Sequence, residues 1–377
     1  MNILGIETSC DETAAAVVKN GREVLSNVVY TQIPLHQPYG GVVPEIASRA
    51  HIEKISQVVG EAIKGQTIDA VAVTYGPGLA PALIVGLNAA KGLARALNVP
   101  LIAVNHIEAH LHTPFLYDAG DAACFAPDLG LSTEPAELMP ALGLAISGGN
   151  TMWVDLPEYG RYEVVGETLD DAAGEAFDKA AKLLGLGYPG GLKMDRIAAA
   201  WRQEAKVSGE LGSELIPFPK GRPRDGVTAL AGLPAELCVS FSGLKTALLR
   251  YVQQHPELTG STAGSRDFGG YEVTPQVARV VASYQEAIVQ AVADRTRSAL
   301  KRRAYKAMIL GGGVSLNSRI RAVLTEVCAA AGVPLLMAKP KYTGDNGAMI
   351  AALAYYRRKW TSEEAFRLDV SPSLAVG

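Results

Sequence analysis

Two histidines of the stretch NHIEAH, His106 and His110, stand four positions apart and directly follow a short apolar run. On a helix that starts at an Asn105 cap they would lie about one turn apart on one face, the spacing at which two imidazoles can share a metal ion. The zinc-peptidase pattern HExxH places its glutamate directly after the first histidine, where it acts as general base. Ile107 holds that position here, and Glu108 would project to the other side of the helix. The spacing therefore indicates either a different metal site or a pair of structural histidines.

The elements that must position these histidines recur in both halves of the chain. Residues 3–29 predict strand, polar turn, strand, Asn-Gly turn and strand, and residues 141–171 repeat that plan with a Ser-Gly-Gly turn. Residues 71–104 and 307–338 each predict a strand, a Gly-rich turn, an amphipathic helix and a strand that begins with Val-Pro-Leu. A polar turn and a helix follow each of these strands. The pattern indicates an internal duplication, although any α/β protein can offer such pairs by chance.

A two-histidine metal site needs a further ligand, usually a carboxylate. Asp345, in the stretch TGDNG, opens the helix that corresponds in the second half to the His106 helix. A pseudo-two-fold axis between the halves would bring Asp345 to the two histidines across a cleft. The alternative is that Asp345 only caps its own helix.

Length and composition predict two domains. The chain has 377 residues, of which 48% are hydrophobic and 19% charged, and cores tend to split beyond roughly 250 to 300 residues. We expect α/β domains at residues 1–116, which carry the two-histidine motif, and at residues 141–377, with residues 117–140 as a linker or insertion. The final helix, from about residue 345, could pack back on the first domain. Residues 255–272 show neither helical nor strand periodicity and predict another insertion.

Cysteine spacing and the apolar pattern predict a cytoplasmic protein with no membrane role. The N-terminus lacks a basic region of the signal-peptide type, and the longest apolar stretch, residues 79–90, is too short to span a bilayer. A formal net charge of −3 gives no bulk attraction to nucleic acid, so any such binding needs a local patch or partner proteins. The four cysteines form no close pair, as expected of reduced thiols: Cys10, Cys124, Cys238 and Cys328.

Gly-rich turns at residues 145–151, 186–191 and 310–319 could cradle phosphate oxygens with their backbone amides, although such turns are more often structural. None of them matches a P-loop or a well-placed GxGxxG pattern. A helix capped by Thr168 or Asp170 and ending at Gly185 would carry Asp178. That carboxylate could pair with Lys179 at the surface or accept hydrogen bonds from a ribose.

Nine segments, taken in order, resemble the TsaD family of bacterial tRNA threonylcarbamoyladenosine transferases, formerly described as endopeptidase-like. The resemblance runs from Asn2 to Tyr355 and implies an α/β, actin-like and Hsp70-like (ASKHA) fold of two ribonuclease-H-like domains facing a cleft. The segments are GIETSCDETAAAV, YGGVVPEIASRAH, GPGLAPALIVG, NHIEAH, AISGGNT, DDAAGEAFDKAAKLLGLGYPGG, SFSGLKTAL, GGGVSLN and TGDNGAMIA.

The resemblance also implies a reaction, a metal and a substrate site. The family transfers a threonylcarbamoyl group from threonylcarbamoyl-AMP to the N6 amine of the adenosine 3′ of the anticodon, at position 37, in tRNAs reading ANN codons, and AMP leaves. His106, His110 and Asp345 would hold one divalent metal, Fe²⁺ or alternatively Zn²⁺. Asp11 and Glu12 match an acidic turn that faces the cleft, and no catalytic residue is assigned. The positions implied for the adenylated substrate are Ala145, Ile146, Ser147, Gly148, Gly149, Asp178, Gly191, Asp195 and Asn317.

The implied partners are tRNA, the paralogue TsaB and the ATPase TsaE, and ATP or ADP could occupy the cleft or act through TsaE. Asn150 stands where most bacterial relatives have histidine, and the two insertions are longer than usual. Two other functions stay open at this stage. A metal-dependent glycoprotein endopeptidase would lack its glutamate at Ile107, and a non-catalytic nucleotide-binding scaffold should lack the three metal ligands, which are present here.

Overall fold

The computed structural model describes residues 1–121, 134–208, 214–222, 232–260, 263–357 and 362–377. Half of the predicted linker, residues 122–133 with Cys124, lies outside these residues. The elements of the first part are β1 (Asn2–Glu7), β2 (Glu12–Lys19), β3 (Glu23–Thr31), α1 (Ile33–His36), α2 (Pro44–Ala62), β4 (Ala70–Gly76), α3 (Ala80–Leu97), β5 (Leu101–Asn105), α4 (His106–His110) and β6 (Tyr117–Asp118). The second part begins with β7 (Ala141–Ile146), β8 (Thr151–Leu156), β9 (Glu163–Glu167), α5 (Ala173–Leu183), α6 (Gly191–Ser208), α7 (Ser242–Gln254) and α8 (Glu257–Gly260). It continues with β10 (Arg266–Asp267), β11 (Glu272–Val273), α9 (Pro275–Leu300), β12 (Ala307–Gly311), α10 (Ser318–Ala331), β13 (Leu335–Met337), α11 (Gly347–Arg357) and α12 (Ser362–Arg367).

Two mixed sheets carry the predicted repeat. The first has the order β5-β4-β1-β2-β3-β6, and the second has the order β13-β12-β7-β8-β9. In each, three consecutive strands form an antiparallel meander, β1-β2-β3 and β7-β8-β9. The first strand of each meander also pairs in parallel with a strand of a strand-helix-strand unit, β4-α3-β5 or β12-α10-β13. The two halves therefore share one topology, and the predicted α/β class is confirmed.

Helix α11 comes from the end of the chain but packs on the first sheet. Its residues 348–354 are all buried and form one apolar cluster with Ile3 of β1, Ala16 of β2 and Ala72 of β4. The close approach of α11 to the sheet depends on two facing glycines, since a Cβ at Gly5 would lie 2.1 Å from the carbonyl oxygen of Gly347. The predicted domain boundaries stay a prediction, although β6 pairs with β3 and so adds the start of the predicted linker to the first sheet.

One local prediction was wrong. Helix α5 begins at Ala173 with Ala172 at its N-cap, and neither Thr168 nor Asp170 caps it. The Thr168 hydroxyl donates to the carbonyl of Asp171 instead. The Asp170 carboxylate accepts hydrogen bonds from the hydroxyls of Ser240 and Ser242 and from the backbone amide of Phe241. The stretch 255–272 contains α8, β10 and the first residue of β11 although its sequence shows no such periodicity, and its assignment as an insertion stays a prediction.

A buried imidazole holds the acidic turn between β1 and β2. His51 of α2 donates from Nε2 to the carbonyl oxygen of Cys10 at 3.0 Å, and the Thr13 hydroxyl donates to His51 Nδ1 at 2.8 Å. Gln32 adds an amide nitrogen 3.2 Å from the same Nδ1. With donors already directed at Nδ1, the neutral imidazole fits this site, and burial lowers the pKa of His51.

No described helix is both long enough and apolar enough to cross a bilayer.

Gly5→Ala should destabilise the protein by about 3 kcal/mol or more, because the new methyl group meets backbone atoms of Gly347 and Ala351 that cannot move independently of α11. Urea unfolding followed by circular dichroism measures the loss. Gly92→Ala, on α3, is the matched control. Its Cβ would meet no described atom within 4 Å, so the substitution should stabilise the protein by about 0.5–1 kcal/mol. Equal stability of the two variants would contradict the proposed role of the glycine contact.

The free energy of unfolding should fall as the pH drops below the ordinary imidazole pKa of about 6.5, partly through His51. The folded protein resists protonation of His51 while the unfolded chain accepts the proton, so this contribution is complete above that pKa and is lost on acidification. His51→Gln, which does not titrate, should show a shallower fall. Urea unfolding of both proteins across this range tests the expectation, and identical slopes would refute it.

Candidate metal centre and cleft

Strand β5 and a single asparagine set the position of both histidines. All five residues of β5 are buried, and the strand ends at Asn105. The Asn105 side chain accepts hydrogen bonds from the backbone amides of Ile107 at 2.8 Å and Glu108 at 3.2 Å, which starts α4 as predicted. His106 and His110 follow on one face of this short helix, both buried, with ring centroids 4.7 Å apart.

Asp345 lies beside both imidazoles. Its Oδ1 is 3.1 Å from His110 Nε2 and 3.6 Å from His106 Nε2, and one ligand atom from each residue falls within 4.8 Å of the others. Burial alone would raise the pKa of Asp345, but the charge of His106 and the contact with His110 lower it to about 2. Burial likewise opposes the charged form of His106, yet Asp345 and Glu7 raise its pKa to about 9. The cluster joins residues from both halves of the chain.

The donor set of this cluster fits a divalent metal ion. His110 Nδ1 is buried and has no hydrogen-bond partner among the described residues, and the 3.1 Å contact of its Nε2 with Asp345 lacks hydrogen-bond geometry. Separations of 3.1 and 3.6 Å between ligand atoms suit metal bonds of about 2.0–2.2 Å. Two imidazoles and one carboxylate that leave further positions open are typical of Fe²⁺ sites and are also compatible with Zn²⁺.

None of the three residues between the two histidines offers a carboxylate to the metal. Ile107 is buried in the apolar cluster that joins α4 to the second sheet. The Glu108 carboxylate is also buried and pairs with Arg357 of α11, while its other oxygen accepts from the backbone amide of Gly377 at 3.2 Å. The general base of an HExxH peptidase therefore has no counterpart on α4.

A cleft of about 1050 Å³ opens beside the cluster and is lined by both halves of the chain. Its ionisable walls are mostly acidic: Asp11, Glu12, Glu175, Asp178 and Asp345 face it together with Lys179 and Lys182. Burial, together with the neighbouring Asp11 and Asp345, raises the pKa of Glu12 well above its usual range. Lys179 is already paired with Asp171 at 2.6 Å and with Glu175 at 2.7 Å.

The turn between β7 and β8 lines the cleft with residues 147–150. Ser147 N donates to the carbonyl of Asn150 at 2.8 Å, which closes the turn. Gly148 and Gly149 lie between these two residues, and their amides donate to no acceptor in the described part of the chain. A Cβ at either glycine, or at Gly313 just after the neighbouring strand β12, would meet no described atom within 4 Å. The absence of side chains here keeps the cleft open, and the amides are available to an anion.

Asp178 does not form the surface pair that the sequence left open. Its carboxylate accepts from the backbone amide of Gly190 at 2.7 Å and also from that of Gly191, which holds the turn at residues 188–191. Burial raises the pKa of Asp178 despite these bonds. Its neighbour Lys179 pairs elsewhere, so Asp178 lines the cleft as a partly buried acceptor.

The other positions implied for the substrate lie around this turn or behind it. Ala145 and Ile146 are the buried last residues of β7, and Gly191 starts α6. Asp195 is buried and accepts from the backbone amide of Ser318 at 3.0 Å and from Gln285 at 2.7 Å. The Asn317 side chain caps α10. The positions among the nine that line the cleft are Ser147, Gly148, Gly149 and Asp178.

Sequence reasoning missed Glu7, Ser9 and Lys182. Glu7 ends the apolar strand β1 with its side chain fully buried next to His106, and burial alone would raise its pKa, but His106 lowers it. A carboxylate at the end of an otherwise apolar strand, NILGIE, was the available signal. Lys182 lies on an exposed position of α5 at the cleft, and only the fold shows that it does.

Comparisons with known proteins agree with this architecture. Residues 23–352 match the family model described as TsaD, tRNA N6-adenosine threonylcarbamoyltransferase. The chain is 43% identical over 380 residues to a protein of that name from Clostridium perfringens, covering 100% of this chain and 98% of the relative. It is 42% identical over 377 residues to the one from Geobacter sp. strain M21, covering 99% and 96%.

One solved structure, full-length HypF in its phosphate- and nucleotide-bound form, covers 96% of this chain and 47% of HypF with a TM-score of 0.50. At 12% identity this likeness shows the fold alone. The actin-like and Hsp70-like fold of two ribonuclease-H-like domains is confirmed. Because the family match and the relatives extend over most or all of its length, the chain is a transferase that belongs to the TsaD family of tRNA N6-adenosine threonylcarbamoyltransferases.

Proposed function

We propose that this protein transfers the threonylcarbamoyl group of threonylcarbamoyl-AMP to the N6 amine of the adenosine at position 37 of tRNAs that read ANN codons, with release of AMP. One observation carries the proposal: His106 and Asp345 of the candidate metal cluster line the same cleft as Gly148 and Gly149, whose amides donate to no described acceptor. A mixed anhydride needs both groups, because its carbonyl must be polarised and its departing phosphate must be stabilised.

A divalent metal held by His106, His110 and Asp345, which we propose to be Fe²⁺ with Zn²⁺ as the alternative, would supply Lewis-acid polarisation of a substrate oxygen. The amides of Gly148 and Gly149 would donate to the phosphate, as expected of free amides in a glycine turn. The N6 nitrogen forms the new bond to the carbonyl carbon, and the bond from that carbon to the phosphate oxygen breaks.

The attacking amine loses a proton, and the acidic turn offers an acceptor for it. Glu12 and Asp11 both line the cleft, and burial raises the pKa of Glu12, which makes its carboxylate a stronger base than a solvent-exposed one. An exocyclic amine is a poor nucleophile, so holding it in line with the anhydride should contribute much of the rate. The walls from both halves of the chain supply that orientation.

The endopeptidase alternative has no support in this geometry. Its general base would stand at Ile107, which is buried in an apolar cluster, while Glu108 is paired with Arg357.

The acidic cleft and the net charge of −3 support the proposal that tRNA binds with the help of the partners implied by the family resemblance, TsaB and TsaE. ATP or ADP would act in the cleft or through TsaE. We place the reaction in the cytoplasm.

The purified protein, incubated with TsaB, TsaE, ATP, unmodified tRNA and threonylcarbamoyl-AMP, should produce threonylcarbamoyladenosine. Mass spectrometry of the digested nucleosides measures the product. Chelation and the His110→Ala variant should each abolish it, because both remove the metal that His110 helps to hold. Product formation that survives metal removal would contradict the metal-assisted mechanism, and no product from the metal-loaded wild type would contradict the transferase assignment.

Gly149→Leu should lower kcat/KM for threonylcarbamoyl-AMP at least tenfold, corresponding to about 1.4 kcal/mol, because the added side chain enters open space where the substrate would lie. The melting temperature should change little, since no protein atom lies within 4 Å of the new Cβ. Gly92→Leu on the exposed face of α3 is the control and should keep wild-type kinetics. Wild-type kcat/KM in Gly149→Leu would place the substrate elsewhere.

A further inference from the structure

We propose that Glu7 is the positioning residue of the metal site, which fixes the ring of His106 and the tautomer that presents Nε2 to the metal. The inference rests on the proposed metal site. Glu7 ends β1, its side chain is fully buried, and it does not line the cleft. It therefore acts through the residues that it contacts, of which His106 belongs to the metal cluster.

Three donors converge on the Glu7 carboxylate. Oε1 accepts from the backbone amide of Ser9, and Oε2 accepts from the hydroxyl of Thr74. Oε2 also lies 3.2 Å from Nδ1 of His106. A buried carboxylate that accepts several hydrogen bonds is stabilised as the anion, and an anionic carboxylate can only accept. Nδ1 of His106 must therefore carry a proton directed at Glu7.

The proton on Nδ1 decides which nitrogen of His106 can bind a metal. In the neutral ring it leaves the lone pair on Nε2, the atom that lies 3.6 Å from Asp345 Oδ1. Carboxylate partners of this kind orient metal-binding imidazoles and increase their basicity. The Ser9 hydroxyl, 3.1 Å from the same Nδ1, is the only further described group within hydrogen-bond distance of that atom.

His110 has no equivalent support. Its Nδ1 is buried without a hydrogen-bond partner among the described residues, so nothing comparable fixes its tautomer. Helix α4 has only five residues and cannot hold two imidazoles rigidly by itself. Glu7 is held from two strands, by Ser9 just after β1 and by Thr74 of β4. The Glu7 carboxylate thus connects β1 and β4 of the first sheet to the ring of His106.

Glu7→Gln tests the proposal, with Zn²⁺ as the probe. The amide offers one oxygen to three donors, and an N–H directed at His106 Nδ1 would favour the tautomer with the proton on Nε2. We expect the Zn²⁺ affinity of the apoprotein, measured by competition with a chromophoric chelator, to fall about 10–100-fold. Glu108→Gln is the matched control, since it makes the same change in another buried carboxylate of this region that contacts no ligand imidazole, and it should bind Zn²⁺ within about twofold of wild type.

Proton–nitrogen NMR of the Zn²⁺-saturated proteins separates positioning from a general loss of stability. Wild type and Glu108→Gln should show a downfield Nδ1–H resonance of His106, and Glu7→Gln should show it shifted upfield, because the charged acceptor is gone. Equal affinity and an unmoved resonance in Glu7→Gln would overturn the inference while the metal site stands. Wild type that binds no Zn²⁺ or Fe²⁺ would overturn the metal site itself and this inference with it.

Thr74→Val provides a second variant if Glu7→Gln does not fold. It keeps the carboxylate and removes one of the donors that hold it. The Zn²⁺ affinity should then fall by less than in Glu7→Gln, up to about tenfold. An affinity equal to that of wild type would overturn the inference.

Discussion

The site depends on the close packing of α11 against β1 and β2. A Cβ at Gly5 would lie 2.1 Å from Gly347 O, and a Cβ at Gly347 would lie 2.4 Å from the backbone nitrogen of Ala16, so neither position accepts a side chain. Asp345 stands two residues before α11, while both histidines follow β5 of the same sheet. The separation of the helix from the sheet therefore fixes the distance from Asp345 to the imidazoles. Metal coordination tolerates errors of about 0.2 Å, which a displaced helix would exceed.

A second glycine contact joins helix α4 to the second sheet. A Cβ at Gly311, the last residue of β12, would lie 2.3 Å from the carbonyl oxygen of His110. Beside this contact, Ile107 and Leu111 pack among apolar side chains of the second sheet. Helix α4 is thus held between the two sheets. The glycines at 148, 149 and 313 differ from these, because no described atom lies within 4 Å of where their Cβ atoms would be. Glycine serves packing at the first set of positions and keeps the cleft open at the second.

The sequence predicted what depends on local pattern. The duplicated order of strands and helices, the Asn105 cap and the approach of Asp345 to two histidines follow from periodicity, capping chemistry and one symmetry argument. The start of α5 could not be predicted in that way, since Asp170 is taken by Phe241 and Ser242, some seventy residues further along the chain.

The same limit applies to the carboxylates of the candidate site. Asp178 and Asp195 both lie on helices near Gly-rich turns, and nothing in their local sequence states which one faces the cleft. In the structure Asp178 lines it, whereas Asp195 is engaged by Ser318 and Gln285. Glu7 was missed because its role depends on Thr74 and His106, which reach it only after the strands pair. Residue type predicts what a group can do, and the fold decides what it contacts.

The charge of the cleft explains why the metal cluster and the amide turn share it. Acidic side chains line it, Lys179 is neutralised by Asp171 and Glu175, and Lys182 lies at an exposed position. An adenylated substrate carries a phosphate, and these walls would repel it if side chains were the only charges. Backbone amides attract an anion without adding a cationic side chain, and a divalent ion would offset the two nearest carboxylates, Glu7 and Asp345. In the proposed function, the amide turn and the metal ligands would therefore act together on one anionic substrate.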